Sequence, residues 1–214
     1  MKKDRIPVTR EGVPFVGTFV FWAVLLAILG LKWYAIAAGV CACFTLYFFR
    51  DPQRLIPEGD ALVVSPADGR VIRIDGVDAG PLVKGPRKRV SIFMTVFDCH
   101  VNRMPSKGVV RGIEYTKGSF WPADHRKAFQ KNEQNALVLE TECGRLIEVV
   151  QVAGLIARRI VCWAEPGDRF RQGQRFGLIR FGSRVDVYLP DDVGIEVAIG
   201  KKVCAGETII ARFT

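Results

Sequence analysis

The chain has 214 residues, 49% hydrophobic and 25% charged, enough for one domain with a real core and too little for two large ones. That composition excludes a disordered chain, a collagen and a small disulfide-stapled scaffold. Lys+Arg 31 against Asp+Glu 22 gives a formal net charge of +9, which favours anionic partners such as nucleic acid or acidic lipid headgroups.

A mean hydropathy of +0.16 is high for so charged a chain, and the apolar residues are concentrated at the front. Pro14 to Leu31 is 18 residues without a charge, Trp33 to Phe49 is 17 more, and only Lys32 separates them. A bilayer core about 30 Å thick needs roughly 17–25 helical residues. Residues 1–49 therefore read as a membrane anchor of two short transmembrane helices, a hairpin turning around Gly30-Leu31-Lys32. One long helix would bury Lys32 at mid-membrane, at a cost of at least about 2.5–3.5 kcal/mol. A cleaved signal peptide fits poorly, because the apolar region is too long and lacks a small-x-small site. A buried soluble helix pair is the bland alternative. Lys2, Lys3, Arg5 and Arg10 precede the first helix, and Arg50 and Arg54 follow the second. The positive-inside rule then puts both flanks, and the domain from residue 50 to 214, on the cytoplasmic face of the cell membrane.

The six cysteines agree with a reducing compartment. Cys41 and Cys43 lie in the second apolar stretch, while Cys99, Cys143, Cys162 and Cys204 are scattered with no CxxC pair. His100 and His125 are the two histidines, so a Cys/His metal site is not expected.

After residue 50 the pattern is that of strands. Runs rich in Val, Ile and Phe recur between glycines, at residues 61–65, 70–75, 90–97, 109–116, 136–142, 146–152, 176–181, 184–189, 195–199 and 208–213. Their lengths and Gly, Pro and Asp breaks predict an all-β sandwich or barrel. The polar segment from Pro122 to Asn135 reads as a loop or short helix and a candidate lid. A weak repeat joins Gly167–Gly173, leading into residues 176–180, to Gly200–Gly206, leading into residues 208–212. Its paired glycines suit turns with positive φ. The repeat resembles the hairpins of lipoyl- and biotinyl-type half-barrels.

Three places carry candidate chemistry. Ser65-Pro66-Ala67-Asp68-Gly69-Arg70 lies between two strands, where Asp-Gly in isolation is most often a turn. Phe97-Asp98-Cys99-His100-Val101-Asn102-Arg103-Met104-Pro105 runs from a strand into a proline-ended loop. Phe181-Gly182-Ser183-Arg184-Val185-Asp186-Val187 sets Gly-Ser between two strands. In this order, and with the hydrophobic hairpin, the Arg50-Asp51-Pro52 exit and Gly118-Ser119-Phe120, the motifs resemble the phosphatidylserine decarboxylase family in its short prokaryotic form.

The resemblance implies a zymogen that cuts itself at Gly182-Ser183, giving a β chain of residues 1–182 and an α chain of residues 183–214. Ser183 becomes a pyruvoyl group, which forms a Schiff base with the serine amine of phosphatidylserine and drives its decarboxylation to phosphatidylethanolamine and CO2. No separate cofactor or metal is expected. Asp68 is implied in self-processing and His100 in the decarboxylation step. Longer members carry a second histidine at the position of Arg103, so here either His100 serves both self-processing and decarboxylation or Asp68 acts on Ser183 without an intermediary. Arg103 is instead a candidate for the lipid phosphate or carboxylate, which a guanidinium suits. His125 is a further candidate to enter the site.

Residues 1–49 hold 5 basic and 2 acidic residues, and the remainder 26 and 20, so both parts are basic and suit an anionic lipid in an anionic leaflet. Nucleic acid is disfavoured for want of an aromatic-basic reader motif. The rival readings are a pyruvoyl decarboxylase of another amino-acid substrate and a non-catalytic membrane-anchored half-barrel module.

Overall fold

The computed structural model describes residues 8–119, 121, 131–154, 159–180 and 182–213. The chain divides into two compact units, Met1–Gln53 and Arg54–Thr214.

In the first unit a short 3-10 turn, Arg10–Gly12, runs into helix α1, Val13–Ile28, and a turn at residues 29–31 leads to α2, Lys32–Phe48. The two helices pack along each other. Gly30 takes φ +74° at the turn, the left-handed conformation that ends helices. Arg10–Ile28 is 19 residues of mean hydropathy 1.9, long and apolar enough to cross a membrane, whereas α2 is an apolar helix of 17 residues. Phe21, Trp22, Ile28, Trp33, Ile36 and Val40 are exposed, an apolar surface that water does not favour. Thr18 and Thr45 donate their hydroxyls to the carbonyls of Pro14 and Cys41, so neither brings an unmet donor to that surface.

The second unit is built of strands. In chain order they are β1 (Leu62–Val64), β2 (Gly69–Ala79), β3 (Lys84–Met94), β4 (Val101–Arg103), β5 (Gly108–Thr116), β6 (Gln134–Thr141) and β7 (Leu146–Val152). There follow β8 (Ile160–Cys162), β9 (Arg169–Phe170), β10 (Arg175–Ile179), β11 (Ser183–Pro190), β12 (Gly194–Ile195), β13 (Lys202–Val203) and β14 (Ile209–Arg212). Eight form one curled antiparallel sheet in the order β13-β2-β3-β11-β7-β6-β5-β9. Two three-stranded sheets, β1-β14-β12 and β4-β10-β8, complete the half-barrel. The expectation of a mainly β, lipoyl-like half-barrel preceded by an apolar N-terminal segment is met.

Period-two alternation builds the core. Val90, Ile92 and Met94 of β3, Val185, Val187 and Leu189 of β11, Ile147 and Val149 of β7, and Leu137 and Leu139 of β6 all face one buried cluster. A smaller cluster of Ala136, Val150, Val152 and Tyr188 sits on the other face. Strand β11 is central, paired with β3 from Ser183↔Met94 to Pro190↔Arg87 and with β7 from Arg184↔Val152 to Tyr188↔Glu148.

The weak repeat is a structural one. Gly167, Gly173, Gly200 and Gly206 all take positive φ, and each glycine pair brackets a two-residue strand, β9 or β13. Gly173 N and Gly206 N donate to the carbonyls of Met104 and Ser65, both at 2.8 Å. Asp68-Gly69 is not a hairpin turn. Gly69 opens β2 so close to β3 that a Cβ would lie 2.1 Å from the Phe93 carbonyl oxygen. Residues 195–199 form a strand only over Gly194–Ile195, because the chain turns back at Lys201, whose N–H donates to Ala198. Of the segment from Pro122 to Asn135, residues 122–130 lie outside the described residues, and Gln134 already belongs to β6.

Candidate active site

The first motif is held by the second glycine hairpin. Ser65 exchanges backbone hydrogen bonds with Gly206 and Thr208, which leaves Asp68 facing the Cys204–Thr208 turn. Asp68 Oδ1 accepts from the Ala205 N–H at 2.7 Å, and Oδ2 accepts from Arg54 Nη2 at 2.6 Å. Both partners of this ion pair are nearly buried, at 10% and 13% exposure. Burial alone would weaken the Arg54 guanidinium, but the charge and hydrogen bond of Asp68, with smaller contributions from Cys99 and Glu207, hold its pKa above the ordinary arginine value. Glu207 completes the clamp, accepting from Arg54 Nη1 at 3.4 Å and from the Leu55 N–H at 2.9 Å.

The second motif supplies β4 and the turn before it. His100 is buried, and its Nδ1 lies 2.9 Å from the Asp98 carbonyl oxygen. A carbonyl only accepts, so Nδ1 carries the proton of this contact. The Ile179 N–H donates to the His100 carbonyl at 3.3 Å, tying the histidine to the strand that leads to Gly182. Arg103 is buried, donates from Nη1 to the Gly173 carbonyl at 3.0 Å, and has its Cδ against Gly206. It thus braces the two glycine hairpins. The Arg103 N–H donates to the Pro66 carbonyl at 2.9 Å, which joins the first motif to the second.

The third motif lies at the head of the central strand. Gly182 takes φ +59°, and among the described residues no atom lies within 4 Å of where its Cβ would be, so the backbone conformation rather than crowding calls for glycine there. Ser183 is wholly buried and donates its hydroxyl to Met94 Sδ at 3.5 Å. A thioether is a weak acceptor, so the hydroxyl is held lightly. Alternation turns Arg184 to the opposite face, where its Nε donates to Asp186 Oδ1 at 2.8 Å with both side chains buried. That pair fixes the strand and points away from Ser183.

The structure therefore brings Ser183, Met94 and the His100–Arg103 strand together and links Asp68 to that strand through Pro66. Both carboxylate oxygens of Asp68 are engaged by Arg54 and Ala205. His125 lies outside the described residues. Among the described residues no group of three or more His, Cys, Asp and Glu is placed to hold a metal ion. Sequence reasoning missed Arg54 as the partner of Asp68. It also gave no role to three buried amides: Asn102, which lies inside the second motif, and Asn135 and Gln151, whose signal is a polar residue at an inward position of an apolar strand.

A buried serine thus directly follows a left-handed glycine at the head of the central strand of a curled β half-barrel. Comparison with known proteins places the chain. A family model described as phosphatidylserine decarboxylase matches residues 41–211. The chain is 48% identical over 212 residues to a phosphatidylserine decarboxylase proenzyme of Desulfotalea psychrophila, covering 99% of each chain. It is 46% identical over 215 residues to the same-named protein of Syntrophus aciditrophicus, covering 100% of each. It is 50% identical over 218 residues to that of Beijerinckia indica, covering 99% of this chain and 91% of the relative. The chain belongs to the phosphatidylserine decarboxylase family.

Proposed function

We propose that the chain is a proenzyme that cleaves itself between Gly182 and Ser183 and then decarboxylates phosphatidylserine to phosphatidylethanolamine and CO2. The observation that carries this reading is the junction itself, a buried serine hydroxyl on a weak acceptor beside a glycine whose φ of +59° exposes its carbonyl to attack. Ser183 Oγ bonds to the Gly182 carbonyl carbon, the C–N bond breaks, and the hydroxyl proton ends on the freed amine. Loss of the Ser183 Cα proton then expels Gly182 as a carboxylate, and the dehydroalanine left behind takes up one water and releases one ammonia. The products are a β chain of 182 residues and an α chain of 32, which stay together as a heterodimer.

The pyruvoyl group so made at residue 183 supplies the electron sink that the twenty side chains lack. Its setting fits such a group, since Ser183 is sealed from water and its hydroxyl meets the Met94 thioether. His100 delivers a proton through Nε2, with Nδ1 held by the Asp98 carbonyl. Arg103 supplies the positive charge for the carboxylate or phosphate of the substrate, and Asp68 serves the self-processing step. The 19-residue apolar helix and the net charge of +9 support an anchored enzyme facing an anionic leaflet. The basic flanks of the apolar segment support a cytoplasmic catalytic domain.

Intact mass spectrometry under denaturing conditions tests the reading. Wild type is expected as chains of 182 and 32 residues and Ser183→Ala as one uncut chain, with CO2 released from phosphatidylserine vesicles but not from free serine. An uncut wild type that releases CO2 overturns the pyruvoyl reading. Release from free serine alone points to the other amino-acid decarboxylase, and neither cut nor release points to a binding module.

A further inference from the structure

Three side-chain amides form a chain through the core that ends at the proposed cleavage site. Asn135 of β6 and Gln151 of β7 are directly opposite each other in the large sheet. Alternation sets them on the same face as Leu137, Leu139, Ile147 and Val149. Asn102 comes from β4, in the small sheet that covers this end of the core. Asn135 Nδ2 donates to Gln151 Oε1 at 3.0 Å, and Gln151 Nε2 donates to Asn102 Oδ1 at 2.9 Å. Asn102 Nδ2 then points at Met94 Sδ, 3.9 Å away, the sulfur that also receives the Ser183 hydroxyl. Asn102, Gln151 and Ser183 are wholly buried and Asn135 is 2% exposed.

The chain has a direction. Asn135 sets the orientation of Gln151 and Gln151 that of Asn102, so the NH2 end of Asn102 faces Met94 Sδ, the sulfur that the serine hydroxyl also meets. Room for it is made by the partner strand, because Gly177, opposite Asn102, would set a Cβ 3.0 Å from Gln151 Nε2. A buried amide N–H is a strong donor, and a thioether is a poor acceptor for it. Burying three amides in an apolar core is costly unless each is well bonded, and here the poorly bonded end is the one beside the reacting serine. Donors of that kind, fixed beforehand and kept from water, stabilise an oxygen that becomes negative during acyl transfer.

We propose that Asn102 is the neutral donor for the oxyanion that forms when Ser183 Oγ adds to the Gly182 carbonyl, and that Gln151 and Asn135 are positioning residues that hold its NH2 toward that oxygen. The proposal rests on self-cleavage at Gly182-Ser183. During addition the carbonyl π electrons move onto the oxygen, which accepts from Asn102 Nδ2. They return when the C–N bond breaks, so the amide itself gains and loses no proton. Three neutral amides do this without placing a fixed cation beside the freed amine.

The test follows self-cleavage of the full chain made by cell-free translation into lipid nanodiscs, chased on a gel, with thermal melting of each variant in a Ser183→Ala background. Asn102→Leu keeps the side-chain size and removes the donor, and cleavage is expected to slow by about 10²-fold. Gln151→Glu leaves Asn102 in place but offers its NH2 a carboxylate behind it, which turns Oδ1 to the serine. Cleavage is expected to slow strongly at neutral pH and to recover on acidification, once the glutamate is protonated and can donate to Asn102 again. A merely structural role predicts no recovery at matched melting temperature. Folded Asn102→Leu or Gln151→Glu chains that cut within a few-fold of wild type overturn the proposal. Loss of the cooperative melt in both variants also overturns it, by making the amides structural. A wild type that never cuts refutes the self-cleavage reading instead.

Discussion

Replacing Asp68 by asparagine separates what this residue does for the fold from what it does for the site. The change keeps an acceptor for the Ala205 N–H and removes the charge that faces Arg54 at 2.6 Å. With the two charge centres about 4 Å apart, the lost attraction is about 4 kcal/mol at an effective dielectric near 20. Arg54 then retains Glu207 at 3.4 Å, and its burial is no longer compensated. Breaking a fully buried pair costs about 3–5 kcal/mol, and discounting for the exposure of these two side chains leaves about 2–3 kcal/mol. For a domain of this size that lowers Tm by roughly 5–10 °C. Melting is read by circular dichroism in the uncut Ser183→Ala background, alongside Arg54→Met and the Arg54→Met/Asp68→Asn double variant. The double variant should regain much of the loss, because it leaves no unpaired charge. Cleavage is then followed in the same variants with Ser183 restored. Recovered melting without recovered cleavage assigns Asp68 to processing, whereas recovery of both makes it a structural carboxylate. A Tm for Asp68→Asn within 1 °C of the parent, on a measurement good to about that interval, refutes the energetic reasoning.

Gly182→Ala meets no neighbour among the described residues, so its cost is set by the left-handed φ, about 1–2 kcal/mol in the uncut background. Relaxation out of that conformation should also slow cleavage, and unchanged stability would mean that the strain lies elsewhere. His100→Ala should lower CO2 release by about 10²–10⁴-fold while cleavage continues more slowly, since intramolecular attack needs positioning more than a strong base. Near wild-type turnover would remove His100 from the mechanism and make His125→Ala the next variant to assay. Asp75 is pushed upward by its partial burial, but three hydrogen bonds from Arg89 and Arg73 win and hold its carboxyl below the ordinary 3.8. A depressed carboxylate stabilises the fold above its unfolded pKa and loses that contribution as pH falls through the folded value. Asp75→Asn should therefore cost about 1–3 kcal/mol at pH 7, and the gap should close on acidification below 3.8; a gap independent of pH contradicts the assignment.

Much of this architecture is legible in the chain because burial writes itself as alternation. Val90, Ile92 and Met94, or Val185, Val187 and Leu189, announce strands that face a core. The paired glycines at 167 and 173, and at 200 and 206, announce turns whose φ only glycine adopts cheaply. Strands of two or three residues, such as Arg169–Phe170 and Val101–Arg103, are too short for any period to show. The motifs singled out Gly182, Ser183 and His100, and the structure sets Gly182 at a left-handed φ and buries Ser183 and His100. Contacts between residues far apart in the chain were not legible. Arg54 reaches Asp68 around a turn, and Gln151 reaches Asn102 across 49 residues. A polar side chain inside an apolar strand signals that a partner exists without saying which.

The placement of Ser183–Pro190 bears on the life history of the protein. The proposed cut at the head of this strand would free a 32-residue piece that fills the middle of the large sheet through β11, adds β13 at its edge, and contributes β12 and β14 to a small sheet. Before the cut, folding is a reaction of one molecule, and its rate does not depend on how dilute the chain is. Afterwards the piece has one polypeptide connection fewer, and regaining the sheet after thorough unfolding requires two molecules to meet. The severed protein is then held by the height of its unfolding barrier rather than by an equilibrium it can revisit, and its apparent melting point should rise with concentration. On the proposed self-cleavage the sheet closes first, and the bond breaks only in a molecule that no longer needs it.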